Sequence, residues 1–316
     1  MSKKRILVTG GGGFIGHHFL NRVLEDTDFD IVALYRKNKR RIPDSNRIKL
    51  IQTDLSDVSR PLEIDDQGSL DYIVHMAAET YVDASLKDCI PFVKSNVLAT
   101  ANLFEWIKKY HPNTKTCLFS SDEVMGPAPE GVYFKETDLM KPSNPYSATK
   151  AGAEMLAYAF AHSFNIPIFT IRCMNVMGEN ESPEKFIPKT VNKILSGEKV
   201  TLHGTGKNDV ASRHWIYAGD VADAVLFLLE KANTKEIYHI AGEEKDVYSI
   251  SNLIYQTLKG KDLPDNQVEF IDFHKARPGH DKRYSLSMEK LQNMGWKPKY
   301  GLEECIKRTA KQLSSK

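Results

Sequence analysis

Two adjacent carboxylates stand where the sequence predicts the end of a buried strand. Asp122 and Glu123 follow the apolar run TKTCLF and two serines. Like charges side by side repel each other where the dielectric constant is low, so a purely structural protein has little use for this pair. A reaction that needs an acid and a base would use it, because the surroundings can keep one carboxylic acid protonated near neutrality. The structural alternative is a helix-start cap with an exposed neighbour.

A tyrosine and a lysine form the second candidate pair. Tyr146 and Lys150 are four residues apart in NPYSATKAGAEML, so a helix would place both side chains on one face. A neighbouring ammonium stabilises a phenolate and is expected to lower the pKa of the tyrosine from its ordinary value of about 10. The pair is then a usable base for an alcohol hydroxyl, with Ser121 at the strand end nearby. Taken alone, this spacing also occurs on helix surfaces without any function.

A glycine-rich segment predicts a dinucleotide site. In VTGGGGFIGHHFL three glycines recur at a spacing of three, directly after the first predicted strand and at the start of a helix. Such glycines permit a tight turn, a close approach to a pyrophosphate and helix packing, and the helix N-terminus faces the anion. The alternative is a glycine-rich turn without a ligand. The predicted cofactor site includes Gly10, Gly13, Phe14, Ile15 and Gly16.

The residues after the second and third predicted strands are expected to contact the adenosine end of the cofactor. The segment IVALYRKNKRR has no carboxylate before Asp44, and it offers Arg36 where NAD-binding proteins place an acidic residue. A guanidinium suits a 2′-phosphate, so NADP is favoured over NAD. Asp54 and Leu55 are placed to meet the adenine edge, although a capping role is equally available to Asp54.

Short strand-like segments alternate with amphipathic helical patterns through the first two thirds of the chain. This rhythm predicts βαβ units and a doubly wound parallel sheet, a Rossmann-like α/β fold. We predict a dinucleotide-binding domain over residues 1–172, with later returns near 213–240, and a smaller C-terminal substrate-binding lobe over 173–212 and 241–316. The six segments are RILVTG, FDIVALY, RIKLIQT, DYIVHMA, KTCLFSS and IPIFTIR.

Composition excludes several classes of function. Lys and Arg number 43 and Asp and Glu number 41, so the net charge of +2 creates no field that would draw nucleic acid or an anionic membrane. No apolar run is long enough to span a bilayer, and the N-terminus does not resemble a signal peptide, so a cytoplasmic protein is expected. The four cysteines lie far apart without ligand spacing, so no metal is expected.

Five motifs together resemble one enzyme superfamily. TGGGGFIG, HMAAETYVD, SSDEVMG, PYSATK and RPGHDKRY are similar to those of the extended short-chain dehydrogenases/reductases. Within that superfamily the Asp-Glu pair resembles the mark of the nucleotide-sugar 4,6-dehydratases. The chain departs from the family pattern at Met125, where a tyrosine is usual, and at Tyr81, where a histidine is usual.

The resemblance implies a lyase reaction on an NDP-hexose similar to dTDP-glucose, in deoxysugar biosynthesis. It implies that Tyr146 takes the proton from the sugar O4 while hydride leaves C4 for the nicotinamide. Ser121 would form a hydrogen bond with O4, and Lys150 would hold the cofactor ribose. The resulting ketone acidifies C5, where Glu123 acts as base, and Asp122 protonates the leaving 6-hydroxyl. Hydride then returns to C6, which yields a 4-keto-6-deoxy sugar and regenerates the cofactor.

The resemblance also implies a substrate site. A diphosphate suits arginine forks, although Arg213 alone would suit a surface ion pair and His280 alone a structural role. None of these residues identifies the nucleotide base. The implied substrate residues are Thr80, Asn175, Lys185, Arg213, Arg277 and His280, and Ala77 is added to the cofactor site.

The resemblance also implies a homodimer. Helices near 92–110 and 146–163 resemble those that pair across a two-fold axis in the superfamily, although core packing competes for the same apolar residues. The interface candidates are Phe104, Ala153, Leu156, Ala157 and Phe160.

Two alternative functions remain open. A C4-epimerase or decarboxylase would share most motifs, but neither needs an acid at C6. A non-catalytic nucleotide-sugar-binding regulator would not need the Ser-Tyr-Lys set.

Overall fold

Seven parallel strands form the main sheet of the protein. The computed structural model describes residues 3–59, 62–64, 68–272 and 282–315. The strands are β1 (Arg5–Thr9), β2 (Asp30–Tyr35), β3 (Ile48–Gln52), β4 (Tyr72–His75), β5 (Lys115–Ser121), β6 (Ile168–Cys173) and β11 (Ile237–Ile240), in the order β11-β6-β5-β4-β1-β2-β3. The six predicted strands are confirmed as β1 to β6. The strand order reverses at β1, between β2 and β4, and this is where open α/β sheets bind ligands.

Helices cover both faces of this sheet. The helices of the described residues are α1 (Phe14–Asp26), α2 (Val82–Lys87), α3 (Ile90–Phe92), α4 (Ala99–Tyr110), α5 (Pro145–Ser163), α6 (Phe186–Ser196), α7 (Ala218–Lys231), α8 (Val247–Lys259), α9 (Glu289–Asn293) and α10 (Leu302–Ser314), and those that pack on the main sheet include α1, α4, α5 and α7. A π-helical segment, Val93–Leu98, joins α3 to α4. Ile6 and Val8 of β1 pack with α1 and α7, whereas Leu7 packs with α4 and α5. Strands buried on both faces read as continuous apolar runs, which explains why the first strand has no polar alternation.

Two small sheets and three helices form a second group of elements among the described residues. One sheet has the order β12-β10-β7 and the other β13-β8-β9. The strands are β7 (Asn175–Met177), β8 (Val200–Gly206), β9 (Asp209–Val210), β10 (Ser212–Tyr217), β12 (Glu243–Asp246) and β13 (Val268–Ile271). Helices α6, α8 and α10 share a separate apolar core with these strands.

The chain returns to the main sheet late, as predicted for α7 and β11. Strand β11 pairs with β6, and α7 packs on α1. One part of the predicted return is wrong: β10, at residues 212–217, pairs with β7 and β12 and belongs to a small sheet. The domain boundaries themselves stay a prediction. No described helix is long and apolar enough to cross a membrane.

The predicted dimer-interface residues are mostly core residues. Phe104, Ala153, Ala157 and Phe160 are buried against the main sheet, and Leu156 packs partly buried beside them. Core packing, the competing role, accounts for these side chains. Any interface on these helices would therefore use other residues.

Candidate active site

A cleft of 960 Å³ lies between the carboxyl ends of the main-sheet strands and the elements of the two small sheets. Residues that follow β1, β4, β5 and β6 line one side, and residues of α6, β8 and β10 line the other. The cleft therefore lies at the point where the strand order reverses. The sequence predicted ligands at this same edge of the sheet.

The glycine loop forms a cradle that side chains would fill. Gly10 has φ +73°, and a Cβ there would lie 2.8 Å from the backbone nitrogen of Ala77. A Cβ on Gly16 would lie 2.3 Å from the carbonyl oxygen of Gly10. Helix α1 begins at Phe14 with Gly13 as N-cap, and its first residues line the cleft. A pyrophosphate fits this backbone, because the helix N-terminus offers N–H groups and a favourable dipole.

The residues predicted for the adenosine end lie apart from the cleft lining or have other partners. Arg36 forms an ion pair with Glu79 at 2.8 Å, with both side chains more than 40% exposed. The Asp54 carboxylate accepts hydrogen bonds from the backbone and hydroxyl of Ser56, which is the local capping role left open by the sequence. Leu55 is buried in the core. Their contact with adenine stays a prediction.

The residue that begins helix α5, Asn144, also contacts Glu123. Asn144 is its N-cap: the side-chain oxygen accepts from the backbone of Ser147 at 2.8 Å, and Pro145 occupies the first turn. The amide nitrogen of Asn144 also donates to Glu123 Oε2 at 2.8 Å. One side chain therefore starts the helix and holds the proposed base.

The Tyr146–Lys150 pair is buried, and its electrostatics differ from the expectation. Burial, with a contribution from Glu123, raises the pKa of Tyr146 above its ordinary value, so the predicted lowering is wrong for this structure. A hydrogen bond with Ser121 acts in the opposite direction but is weaker. Burial lowers the pKa of Lys150 to about 8, and its Nζ donates to the carbonyl of Phe119 at 2.6 Å. The sequence spacing could not show the cost of desolvation.

The paired carboxylates occupy unequal environments. They open a 3₁₀ turn, Asp122–Met125, whose N-cap Ser121 donates to Asp122 Oδ1 at 3.0 Å. Burial, followed by repulsion from Glu123, raises the pKa of Asp122 to about 7. Its Oδ2 has no hydrogen-bond partner among the described residues. Glu123 is half-buried, so the two carboxylates differ in exposure, and the surroundings favour a proton on Asp122.

The predicted substrate residues within the described ranges meet in this cleft. Thr80, Asn175, Lys185 and Arg213 all line it. The Arg213 guanidinium donates to the carbonyl oxygens of residues 212 and 282, each at 2.7 Å. Lys185 Nζ donates to the carbonyl of Thr80 at 3.3 Å. Arg277 and His280, by residue number, fall outside the described residues.

Several cleft residues were missed from the sequence. Lys189 and Lys193 line the cleft together with the predicted Lys185, and their spacing of four places cations along one face of α6. That periodicity was visible in PEKFIPKTVNK. Glu181 also lines the cleft, and burial raises its pKa to about 8. No sequence signal distinguished this glutamate from its exposed neighbours.

The doubly wound sheet, the glycine cradle and the Ser121–Tyr146–Lys150 group define an extended short-chain dehydrogenase/reductase. A model of the family described as GDP-mannose 4,6 dehydratase matches residues 7–309. The chain belongs to this family of nucleotide-sugar 4,6-dehydratases, which are hydro-lyases. The predicted superfamily and fold class are thereby confirmed.

Three similar proteins illustrate the relationship. A trifunctional UDP-glucose 4,6-dehydratase/3,5-epimerase/reductase of Arabidopsis thaliana is 35% identical over 97% of this chain, which spans only 46% of that protein. The dTDP-glucose 4,6-dehydratase of Mycolicibacterium smegmatis is 35% identical, with 94% of this chain and 88% of that protein covered. The structure of dTDP-glucose 4,6-dehydratase from Bacillus anthracis in complex with NAD has a TM-score of 0.84 at 30% identity, over 99% of this chain and 97% of that one.

Proposed function

We propose that the protein converts an NDP-hexose to the NDP-4-keto-6-deoxy-hexose. The observation that carries this proposal is the unequal pair Asp122 and Glu123 in the same cleft as Tyr146. A buried acid beside a more exposed carboxylate suits the elimination of water. The cradle at Gly10 and Gly16 suits a nicotinamide dinucleotide, which when bound accepts hydride from C4 and later returns it to C6.

The oxidation uses Ser121, Tyr146 and Lys150. Tyr146 Oη takes the proton from the sugar O4 as the C4 hydride departs, and the Ser121 hydroxyl orients O4. Because burial disfavours the phenolate, a cation close to the phenol is needed to make it a competent base. Lys150 lies one helical turn from Tyr146 and supplies that positive charge when its amine is protonated.

The elimination uses the paired carboxylates. Glu123 removes the C5 proton, which the neighbouring ketone has acidified, and the electron pair left on C5 forms the C5–C6 double bond. The C6–O6 bond breaks, and Asp122 donates its proton to O6, so water leaves. Both groups act only after the ketone exists.

The alternatives lack a use for Asp122. A C4-epimerase or a decarboxylase of the same superfamily needs the oxidation group but no acid at C6. A non-catalytic nucleotide-sugar-binding regulator needs neither. Since Asp122 is buried, its presence costs stability, which a protein without elimination chemistry has no reason to bear.

The finer cofactor proposal is NADP over NAD. Arg36 suits the 2′-phosphate, and its exposed ion pair with Glu79 is weak enough for a phosphate to replace it. We predict that Arg36→Asp shifts the preference toward NAD, with Arg40→Asp as a control in the same basic segment. Affinity titration with each cofactor checks this, and extraction of only NAD(H) from the wild-type protein would contradict it.

The finer substrate proposal is a nucleotide diphosphate held by the cleft cations. Lys185, Lys189 and Arg213 provide positive charge where about two negative charges must be bound.

We propose the cytoplasm as location and a homodimer as the assembly. Incubation with dTDP-, UDP-, GDP- and CDP-hexoses, followed by mass spectrometry, tests the function: loss of water from one of them is expected. Interconversion of epimers without loss of water would favour the epimerase alternative.

A further inference from the structure

One buried ion pair lies beneath the proposed catalytic groups. Glu154 of α5 and Arg172 of β6 are each 2% exposed. Arg172 Nε donates to both carboxylate oxygens of Glu154 at 3.1 Å, and Nη2 donates to Oε2 at 2.8 Å. This bidentate geometry fixes the direction of both side chains as well as their separation.

The pair contacts the strand and the turn that carry the acid–base residues. Ser120 Oγ donates to Glu154 Oε1 at 2.5 Å, and Ser120 lies opposite Arg172 in the register of β5 and β6. Arg172 Nη1 donates to the sulfur of Met125 at 3.1 Å. Met125 is the last residue of the turn that begins with Asp122. The network therefore contacts the strand that leads into the turn and the last residue of the turn.

Glu154 also lies on the face of α5 that carries the oxidation residues. Glu154 follows Lys150 by four residues, as Lys150 follows Tyr146, so the three side chains lie on one helix face. The Glu154 carboxylate raises the pKa of Lys150, against the larger lowering by burial. Glu154 thus affects the charge of Lys150 as well as the geometry of the turn.

Stability alone does not account for this arrangement. Replacing a buried ion pair by apolar side chains of similar volume is often neutral or stabilising. We propose that Glu154 and Arg172 are positioning residues that hold the Asp122–Met125 turn in place relative to Tyr146 and Lys150. The inference rests on the proposed function, because that function gives the turn and the helix a joint task. A misplacement of about 1 Å can lower a rate by about 10².

The main experiment replaces both charges at once. In Glu154→Met with Arg172→Met, we expect the unfolding temperature and cofactor affinity to be retained, while single-turnover C4 oxidation and water loss each fall by about 10². Reduced-cofactor absorbance and mass spectrometry measure the two steps. Asp223→Asn is the matched control, because Asp223 accepts from Arg22 at 2.7 Å and from Trp296 at 2.9 Å and does not line the cleft. It should lower the unfolding temperature and leave both rates unchanged.

Two single variants separate the charge effect from the geometric one. In Glu154→Gln the pKa of Lys150 should fall below about 8, so C4 oxidation should lose activity at a lower pH than in the wild type. In Met125→Leu the ion pair stays, so water loss should fall by about 10-fold while C4 oxidation and its pH profile stay unchanged. A merely structural role would move neither the pH profile nor the ratio of the two steps.

The outcomes are distinguishable. Wild-type rates in the double methionine variant, or an unmoved pH profile in Glu154→Gln, would overturn the positioning role. A wild-type protein that oxidises its sugar but releases no water would contradict the proposed dehydratase function alone. The positioning role would then still be decided by the rate and pH profile of C4 oxidation.

Discussion

At the scale of single residues, burial sets the protonation of the cleft more strongly than neighbouring charges do. Desolvation disfavours the charged form of every group. It raises the pKa of Asp122 and of Tyr146, and it lowers the pKa of Lys150. Near neutrality, burial therefore favours a proton on Asp122 and on Tyr146, and it brings Lys150 closer to losing its proton. This state suits an enzyme that must both donate and accept protons near neutrality.

Tyr146→Phe should abolish the C4 oxidation and leave cofactor binding intact. The hydroxyl is the proposed acceptor of the O4 proton, whereas the ring packs against Val82 and Phe92. Tyr158→Phe is the matched control, because Tyr158 is exposed on the same helix. Reduced-cofactor absorbance after substrate addition measures the step. A Tyr146→Phe protein that still oxidised the sugar at the wild-type rate would exclude the assigned role.

The paired carboxylates should separate the two halves of the reaction. In Asp122→Asn with Glu123→Gln, oxidation should persist while water loss falls by a factor on the order of 10² to 10⁴. Solvent deuterium should enter C5 in Asp122→Asn but hardly at all in Glu123→Gln, because enolisation needs the base and not the acid. Water loss at the wild-type rate in the double variant would show that the pair is structural.

The pH dependence of water loss should follow Asp122. Its raised pKa of about 7 means that the acid form is present below that pH and is lost as the pH rises through it. Water loss should therefore decline above about pH 7 in the wild type, whereas Asp122→Asn should show no such decline at its lower rate. Rapid-quench measurements of water loss across pH 5 to 9, a window of about two units on either side, check this. An unchanged decline in the variant would assign the titration to another group.

At the scale of elements, the start of α5 does two tasks with one residue. The N-cap Asn144 satisfies the backbone of the first turn and also donates to Glu123. Helix α8 has an N-cap of the same kind in Asp246, which accepts from Ser249 at 2.8 Å. Asp246 does not line the cleft, so the two caps share a structural role and differ in function.

Asn144→Ala should therefore lower both stability and activity, and Asp246→Ala stability alone. Each loss of a cap should cost about 1 kcal/mol of unfolding free energy. Deuterium exchange at C5 should fall in Asn144→Ala, because Glu123 loses the donor that holds it. Chemical denaturation and the exchange rate measure the two effects. Equal exchange rates in both variants would show that Asn144 acts only as a cap.

At the scale of the whole molecule, an exposed apolar surface lies on α3, the π-helical segment and α5. Ile90, Val93, Met155 and Tyr158 are 55%, 42%, 49% and 60% exposed. Gly152 lets α5 approach the π-helical segment, because a Cβ there would lie 3.3 Å from Val97. Adjacent exposed apolar side chains of this kind are typical of protein–protein interfaces. They are the residues that a homodimer would bury.

Tyr158→Asp should weaken the proposed homodimer without changing the fold. A charge at the centre of an apolar interface is left without a partner and should shift the equilibrium toward monomer. Leu139→Asp is the control, because Leu139 is more exposed and belongs to none of these helices. Light scattering coupled to size-exclusion chromatography measures the mass. A wild-type monomer, or a Tyr158→Asp dimer as stable as the wild type, would exclude this interface.

The sequence by itself determined the parts of this protein that depend on local order along the chain. Six strands, the glycine loop and the pair Tyr146 and Lys150 were legible because periodicity and spacing are local properties. The Asp122–Glu123 pair could be placed at a strand end for the same reason. Strand β10 was misplaced, because which sheet a strand joins depends on partners distant in sequence.

Only the tertiary structure decided the charge states and the supporting contacts. The direction of the Tyr146 pKa shift depends on burial by segments that the helix pattern does not contain. Glu154 and Arg172 are 18 positions apart in the sequence, one on a helix and the other on a strand, and Arg172 also contacts Met125 in a third element. Such contacts form only when the sheet brings its strand ends together, because desolvation and hydrogen-bond geometry depend on distances in three dimensions rather than along the chain.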